Sequence, residues 1–237
     1  MDPRRLQRMA RISALAYGDG AVPEGFTLAR VSAGAMQAIV LTGATEAVLA
    51  FRGTDPSQAG DWDADLRANY DAAFGGRVHQ GFKDGLVALW PKVSPLLPLD
   101  RPLAVTGHSL GGALATLGAL QALGEGAGVA SVITFGSPAV GDQAFVASFT
   151  KRLGDRSDRV VHFADPVPRL LHPGLGFFHV PTLRYLDREG RLVDDAGWAQ
   201  RSLDRVQGWF RKPGAALAAG VPDHLISSYI NALEQLP

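Results

Sequence analysis

The segment Leu103–Ala115 constrains the fold more than any other part of this 237-residue chain. An apolar stretch, Leu103–Thr106, runs into Gly107-His108-Ser109-Leu110-Gly111-Gly112, and small apolar residues follow from Ala113. A buried strand that enters a glycine-bounded turn and leaves as a helix places the strand in a sheet and the helix against one of its faces. Glycines two residues before and two after Ser109 permit the strained backbone of a sharp turn and let strand and helix approach each other. The helix N-terminus then sets N–H donors and a positive dipole end beside the serine oxygen. The plain alternative is a tight glycine turn that exposes a serine without using it. The strand and helix on either side argue against that.

The rest of the pattern is compatible with such a unit. The spacing predicts a helix over about Pro3–Tyr17, then strands at Thr27–Val31, Met36–Leu41 and Ala47–Phe51 with Gly34 and Gly43 at the turns between them. Thr54–Tyr70 is polar, with Pro56, Gly60 and Trp62. Helices are expected over Gly81–Val93, Ala113–Leu123 and, capped by Asp142, over Asp142–Thr150. Val129–Phe135 and Arg159–Phe163 read as buried strands, Leu183–Val193 as a hairpin turning at Glu189-Gly190, and Ala196–Phe210 and His224–Leu236 as helices. Antiparallel strands followed by alternating strand–helix units predict one α/β domain over 1–237, with a mixed sheet that is parallel at its centre.

A serine needs a base, and the base needs an acid to orient it. In strand–turn–helix hydrolases the acid and then the histidine come after the serine along the chain. Asp165 follows the strand Arg159–Phe163, where catalytic groups collect at the carboxyl ends of parallel strands, and Pro166 and Pro168 stiffen its loop. Its bland reading is an aspartate starting a turn. Of six histidines, order leaves His172, His179 and His224. His224 opens the last predicted helix, from which a side chain can reach across the strand ends, but order alone leaves all three open.

Composition narrows the classes further. A formal net charge of zero argues against a nucleic-acid binder. With 46% apolar and 19% charged residues the chain can bury a large core, so global disorder is excluded. The absence of cysteine removes disulfides, Cys-ligated zinc, iron–sulfur clusters and a Cys nucleophile. No cofactor or metal is expected. No stretch reads as a signal peptide or a membrane span, so on sequence alone the chain reads as cytoplasmic unless a signal has been removed.

Thr106–Ala113 resembles the serine turn of the class 3 lipases, the fungal triacylglycerol-lipase-like branch of the α/β hydrolases. The likeness extends to Phe51-Arg-Gly-Thr-Asp55, Val78-His-Gln-Gly-Phe82, Thr134-Phe-Gly-Ser-Pro-Ala-Val-Gly-Asp142, Asp165-Pro-Val-Pro168 and Asp223-His224. Together the motifs lie in family order between about Tyr17 and Ile230. The resemblance implies an α/β-hydrolase fold with a mixed, mostly parallel sheet flanked by helices and a short lid at about 55–70. It also implies Ser109 as nucleophile, Asp165 as orienting acid, His224 as general base, and an oxyanion hole from Thr54 and the Leu110 N–H. Arg52 is expected to pair with Asp65 beneath the lid. Gly136, Ser137 and Pro138 are expected to shape a buried loop, and His79, His108 and His179 to be hydrogen-bonded packing residues. Tyr17, Trp62, Phe82, Val167 and Leu225 are the candidate substrate contacts.

The implied activity is carboxylic-ester hydrolysis of lipase type, on acylglycerols or other lipid and short-to-medium-chain esters, with transient contact to a lipid interface through the lid. Trp62 of the lid stands amid Asp61, Asp63 and Asp65, a polar setting that favours shorter chains over oil-droplet substrates. Gly18 stands where fungal relatives carry a cysteine. An esterase or phospholipase on the same triad, and a lipase-like binding protein without turnover, are the alternatives. Oligomeric state is not legible.

Overall fold

The computed structural model describes residues 2–54, 69–163, 165–194 and 222–236. The predicted helix over Ala196–Phe210 lies outside these residues. So does the predicted lid up to residue 68, with Trp62 and Asp65.

Helix α1 (Pro3–Tyr17) precedes the strands β1 (Thr27–Ala33), β2 (Met36–Thr42) and β3 (Ala47–Phe51). The strands β4 (Tyr70–Ala73) and β5 (Gly76–His79) lead into α2 (Gln80–Val93). Then come β6 (Leu103–His108), α3 (Leu110–Gly124), β7 (Val129–Phe135), α4 (Gln143–Leu153) and β8 (Ser157–His162). The last elements are β9 (Leu183–Leu186), β10 (Leu192–Asp194) and α5 (Ile226–Glu234).

Eight strands form one sheet in the order β1-β2-β3-β6-β7-β8-β9-β10. Pairing is parallel from β3 through β6, β7 and β8 to β9, and antiparallel at both edges. This is the mixed, mostly parallel sheet of an α/β-hydrolase fold.

The centre of the sheet is buried on both faces, as its continuous apolar runs require. Strand β3 makes the point: all five of its residues are buried. Ala47, Leu49 and Phe51 join the core under α2, α3 and α4, while Val48 and Ala50 join the core under α1 and α5. Alternate residues thus face opposite layers. Helix α3, apolar on all sides, is enclosed on the first face. On the second face α1 is capped by Asp2, whose carboxylate accepts the Arg4 N–H at 2.9 Å. Its Ser13 meets Thr106 of β6 at 3.0 Å, and Thr106 in turn donates to the Ile133 carbonyl at 2.7 Å.

The structure departs from the sequence reading in three places. The hairpin β4–β5 is not predicted; Tyr70 opens it rather than ending the lid. Its turn runs through Phe74 and Gly75, both at positive φ (53° and 86°), a mirror-image turn that suits a two-residue hairpin. Helix α3 starts at Leu110 rather than Ala113, directly after Ser109. The last helix starts at Ile226, so His224 stands just ahead of it. Asp142 does cap α4, accepting the Phe145 N–H at 2.9 Å.

Candidate active site

Ser109 occupies the turn between β6 and α3 with φ 59° and ψ −131°, a conformation that non-glycine residues avoid. The turn is held by its neighbours. The Ser109 N–H donates to the Phe135 carbonyl at 2.9 Å, and the Ser109 carbonyl accepts the Gly112 N–H at 2.8 Å. The bounding glycines are fixed by space. A Cβ on Gly107 would lie 2.1 Å from the Gly111 carbonyl oxygen, and one on Gly111 would lie 2.2 Å from that of Phe51. Strand, turn and helix are therefore closer than any side chain allows.

His224 comes to this turn from the far end of the chain. Its Nε2 lies 2.9 Å from Ser109 Oγ. Its Nδ1 lies 3.0 and 2.9 Å from the two carboxylate oxygens of Asp165. A carboxylate accepts, so Nδ1 carries the hydrogen and Nε2 presents its lone pair to the serine hydroxyl. All three residues are buried: Ser109 is 3%, Asp165 0% and His224 1% exposed. Charge that develops here is therefore little screened by water.

Asp165 is satisfied from three sides. Oδ1 accepts the Val167 N–H at 2.9 Å, and Oδ2 accepts the Tyr229 hydroxyl at 2.5 Å. Tyr229, on α5, is fully buried. Burial, with the adjacent Asp165 charge acting the same way, holds its phenol well above the usual range, so it stays protonated and donates. The Tyr229 oxygen also accepts the His162 N–H at 3.1 Å. The sequence alone assigns Tyr229 no role, because nothing in a helical pattern tells which residue points back to a strand end. Tyr229→Phe is expected to lower kcat for an ester substrate about tenfold and stability by about 1–3 kcal/mol, since it strips a buried carboxylate of a donor and a part-buried N–H of its acceptor. Steady-state kinetics and thermal unfolding read both.

The other two histidines left by chain order are engaged elsewhere. His172 Nδ1 accepts the Gly174 N–H at 3.1 Å, and His179 Nε2 meets the Pro168 carbonyl at 2.7 Å. His79 packs on Phe82 and Phe177, with ring centroids 4.3 and 5.8 Å away. Ser137 is 2% exposed and donates to the Pro138 carbonyl at 3.0 Å, within the expected buried loop.

The end of β3 abuts the serine turn: a Cβ on Gly53 would lie 3.0 Å from Ser109 Cβ and 2.5 Å from the His108 carbonyl oxygen. Thr54 comes directly after it. Leu110 is the first residue of α3, where N–H groups have no partner within the helix.

The candidate substrate contacts do not form one group. Tyr17 bonds His108 beneath the turn. Phe82, 3% exposed, belongs to the core. Val167 is 2% exposed and serves Asp165 through its main chain. Leu225 is 36% exposed. Apolar character placed beside a motif identified these residues, but burial used most of it. The Arg52 guanidinium lies 5.5 Å from the centre of the Tyr17 ring, a contact the sequence did not suggest.

Comparison with known proteins finds lipases by sequence and by fold. The profile of the family described as Lipase (class 3) matches residues 48–174. The chain is 36% identical over 145 residues to a lipase of Rhizomucor miehei, covering 55% of this chain and 39% of that protein. It is 33% identical over 143 residues to a secreted mono- and diacylglycerol lipase A of Penicillium cyclopium, covering 56% and 45%. The match thus spans less than half the length of either curated relative. Among solved structures, the Rhizomucor miehei triacylglyceride lipase superposes with a TM-score of 0.70 at 26% identity, covering 81% of this chain and 82% of that one.

Proposed function

The chain belongs to the class 3 lipase family, and on that premise we propose that it is a serine carboxylic-ester hydrolase of lipase type, acting on acylglycerols or other lipid esters. The observation that carries this reading is the continuous line from Ser109 Oγ through His224 to Asp165, with 2.9 Å at the serine end and 2.9–3.0 Å at the acid end.

In the first step Ser109 Oγ attacks the acyl carbonyl carbon while His224 Nε2 takes the hydroxyl proton. Asp165 stabilises the imidazolium and remains ionised. The carbonyl oxygen becomes an oxyanion that, in this reading, the N–H groups of Leu110 and Thr54 receive together with the Thr54 hydroxyl. One such donor is worth about 3 kcal/mol in the transition state. Collapse expels the alcohol, which takes its proton from His224. Water then attacks the acyl-enzyme, giving up a proton to His224, and the carboxylic acid leaves as Ser109 recovers its hydrogen. Residues 1–237 act as one domain in this reading, since the nucleophile and the base come from opposite halves of the chain.

Short and medium acyl chains are the preferred substrates, on the polar character of the segment around Trp62. The test is a fluorophosphonate label on folded protein together with p-nitrophenyl esters from acetate to palmitate. Labelling at Ser109 and a maximum at or below about eight carbons are expected. Folded protein that neither labels nor hydrolyses butyrate would favour a lipase-like binding protein. A maximum at palmitate with a rate jump above its solubility limit overturns the chain-length preference.

A further inference from the structure

Resting on the reading of His224 as the general base, we propose that His108 is a positioning residue that anchors the main chain of that base, and that Tyr17 sets the tautomer in which it does so. His108 is 1% exposed, and both ring nitrogens are engaged. Nε2 lies 2.6 Å from the carbonyl oxygen of His224. Nδ1 lies 2.8 Å from the Tyr17 hydroxyl.

The hydrogen positions are set by the partners. A carbonyl oxygen only accepts, so His108 Nε2 carries a hydrogen. Burial holds the His108 pKa well below the ordinary histidine value, and the neighbouring His224 pushes it the same way. The ring is therefore neutral with one hydrogen, Nδ1 is an acceptor, and Tyr17 donates to it. In the opposite tautomer a ring lone pair would face the His224 carbonyl.

His224 needs such an anchor because of where it stands. The first hydrogen bonds of α5 run from the Ser228 and Tyr229 N–H groups to the Leu225 carbonyl, at 2.9 and 3.4 Å. The His224 carbonyl falls one residue outside that set, so the helix does not fix it. His108 supplies a partner, and its ring lies against that of His224 with centroids 4.6 Å apart. His108 and Ser109 are consecutive, so one turn holds His224 at two points. Ser109 meets the ring, and His108 meets the main chain from which the ring hangs. Asp165 meets the ring of His224, and His108 meets its main chain. Tyr17 is the last residue of α1, so the first helix of the chain braces the base through His108.

Three variants and one spectrum test this. His108→Leu removes the donor, His108→Gln returns an amide N–H near the place of Nε2, and Tyr17→Phe removes the tautomer control. With p-nitrophenyl butyrate, His108→Leu is expected to lower kcat about 30- to 100-fold with KM changed less than about threefold, as misplacement of a reacting group does. Fluorophosphonate labelling should slow in parallel. His108→Gln should recover to within about fivefold of wild type. Tyr17→Phe should cost about five- to tenfold alone but less than about twofold in the His108→Gln background, because an amide has no tautomer to set. Imidazole nitrogen-15 NMR of the wild type should report His108 as the Nε2–H form, and a mixture in Tyr17→Phe.

A folded His108→Leu within threefold of wild type, or His108→Gln no better than His108→Leu, overturns the anchor. Equal losses from Tyr17→Phe in both backgrounds, or an Nδ1–H form in the wild-type spectrum, overturn the tautomer control. If His108→Leu does not fold, His108→Gln with and without Tyr17→Phe carries the comparison. The spectrum does not depend on turnover. An inert wild type that shows the Nε2–H form refutes the hydrolase reading and leaves the His108 anchor supported.

Discussion

Replacing Ser109 by alanine is expected to lower kcat for p-nitrophenyl butyrate by about 10⁴-fold or more without unfolding the protein. The loss is large because Ser109 supplies the hydroxyl that lies on His224 Nε2, so acyl transfer and proton transfer both start there. His224→Ala should lose a similar factor, and the double variant little more than either, since in the proposed mechanism nucleophile and base act as one unit. The stability consequence runs the other way. Ser109 is held at φ 59° and ψ −131°, and such a backbone costs about 1–3 kcal/mol for a residue with a Cβ. Ser109→Gly should therefore be inactive and more stable by about 1 kcal/mol, read as a raised thermal midpoint. Comparable turnover in Ser109→Ala and wild type would sink the proposed function.

Gly136→Ala is expected to lower kcat about 100-fold or more, although Gly136 takes no part in bond making. It comes directly after β7 with φ +56°, and a Cβ there would lie 2.6 Å from Asp165 Oδ2 and 3.1 Å from both His224 Nδ1 and the Tyr229 oxygen. The methyl would occupy the space where acid, base and tyrosine meet. The carboxylate must retreat, and the imidazole loses its alignment. A displacement near 1 Å in such a group costs about 10²-fold, so kcat should fall at least that far. Stability should also drop by about 1–3 kcal/mol, from the left-handed backbone and the disturbed carboxylate. Kinetics and thermal unfolding check both, and a variant within threefold of wild type in kcat would contradict the geometry.

The serine turn is legible in the sequence because its constraints are local. Gly107 is required by the Gly111 carbonyl within the turn, Gly111 by the end of β3 at Phe51, and Leu103–Val105 is apolar because β6 is covered on both faces. Chain order confines the acid to positions beyond Ser109 but leaves three histidines. The family resemblance selects His224, and the fold brings it within 2.9 Å of Ser109. Tyr229, His108 and Tyr17 are not legible as a set, because each meets its partner across 64 to 116 residues. The β4–β5 hairpin escapes a pattern reading because Tyr70–His79 has weak alternation and a turn that puts Phe74 at positive φ. Helix α3 reads as starting late because Gly111 and Gly112 are poor helix formers, used here for closeness rather than propensity.

The packing of α1 against α5 carries a consequence for the order of events in the life of the chain. Gln7 donates to the Leu233 carbonyl and Arg11 pairs with Glu234, joining positions 226 and 223 residues apart. In the proposed reading the base and the tyrosine that braces its acid lie on and beside α5, which is made after α1 and packs against it. A growing chain can form β6, the serine turn and α3 while it still has no base. In the proposed reading, Ser109 therefore has its base only once α5 has docked on α1. During refolding, recovered turnover should appear with the slowest long-range closure rather than with the early formation of local helices.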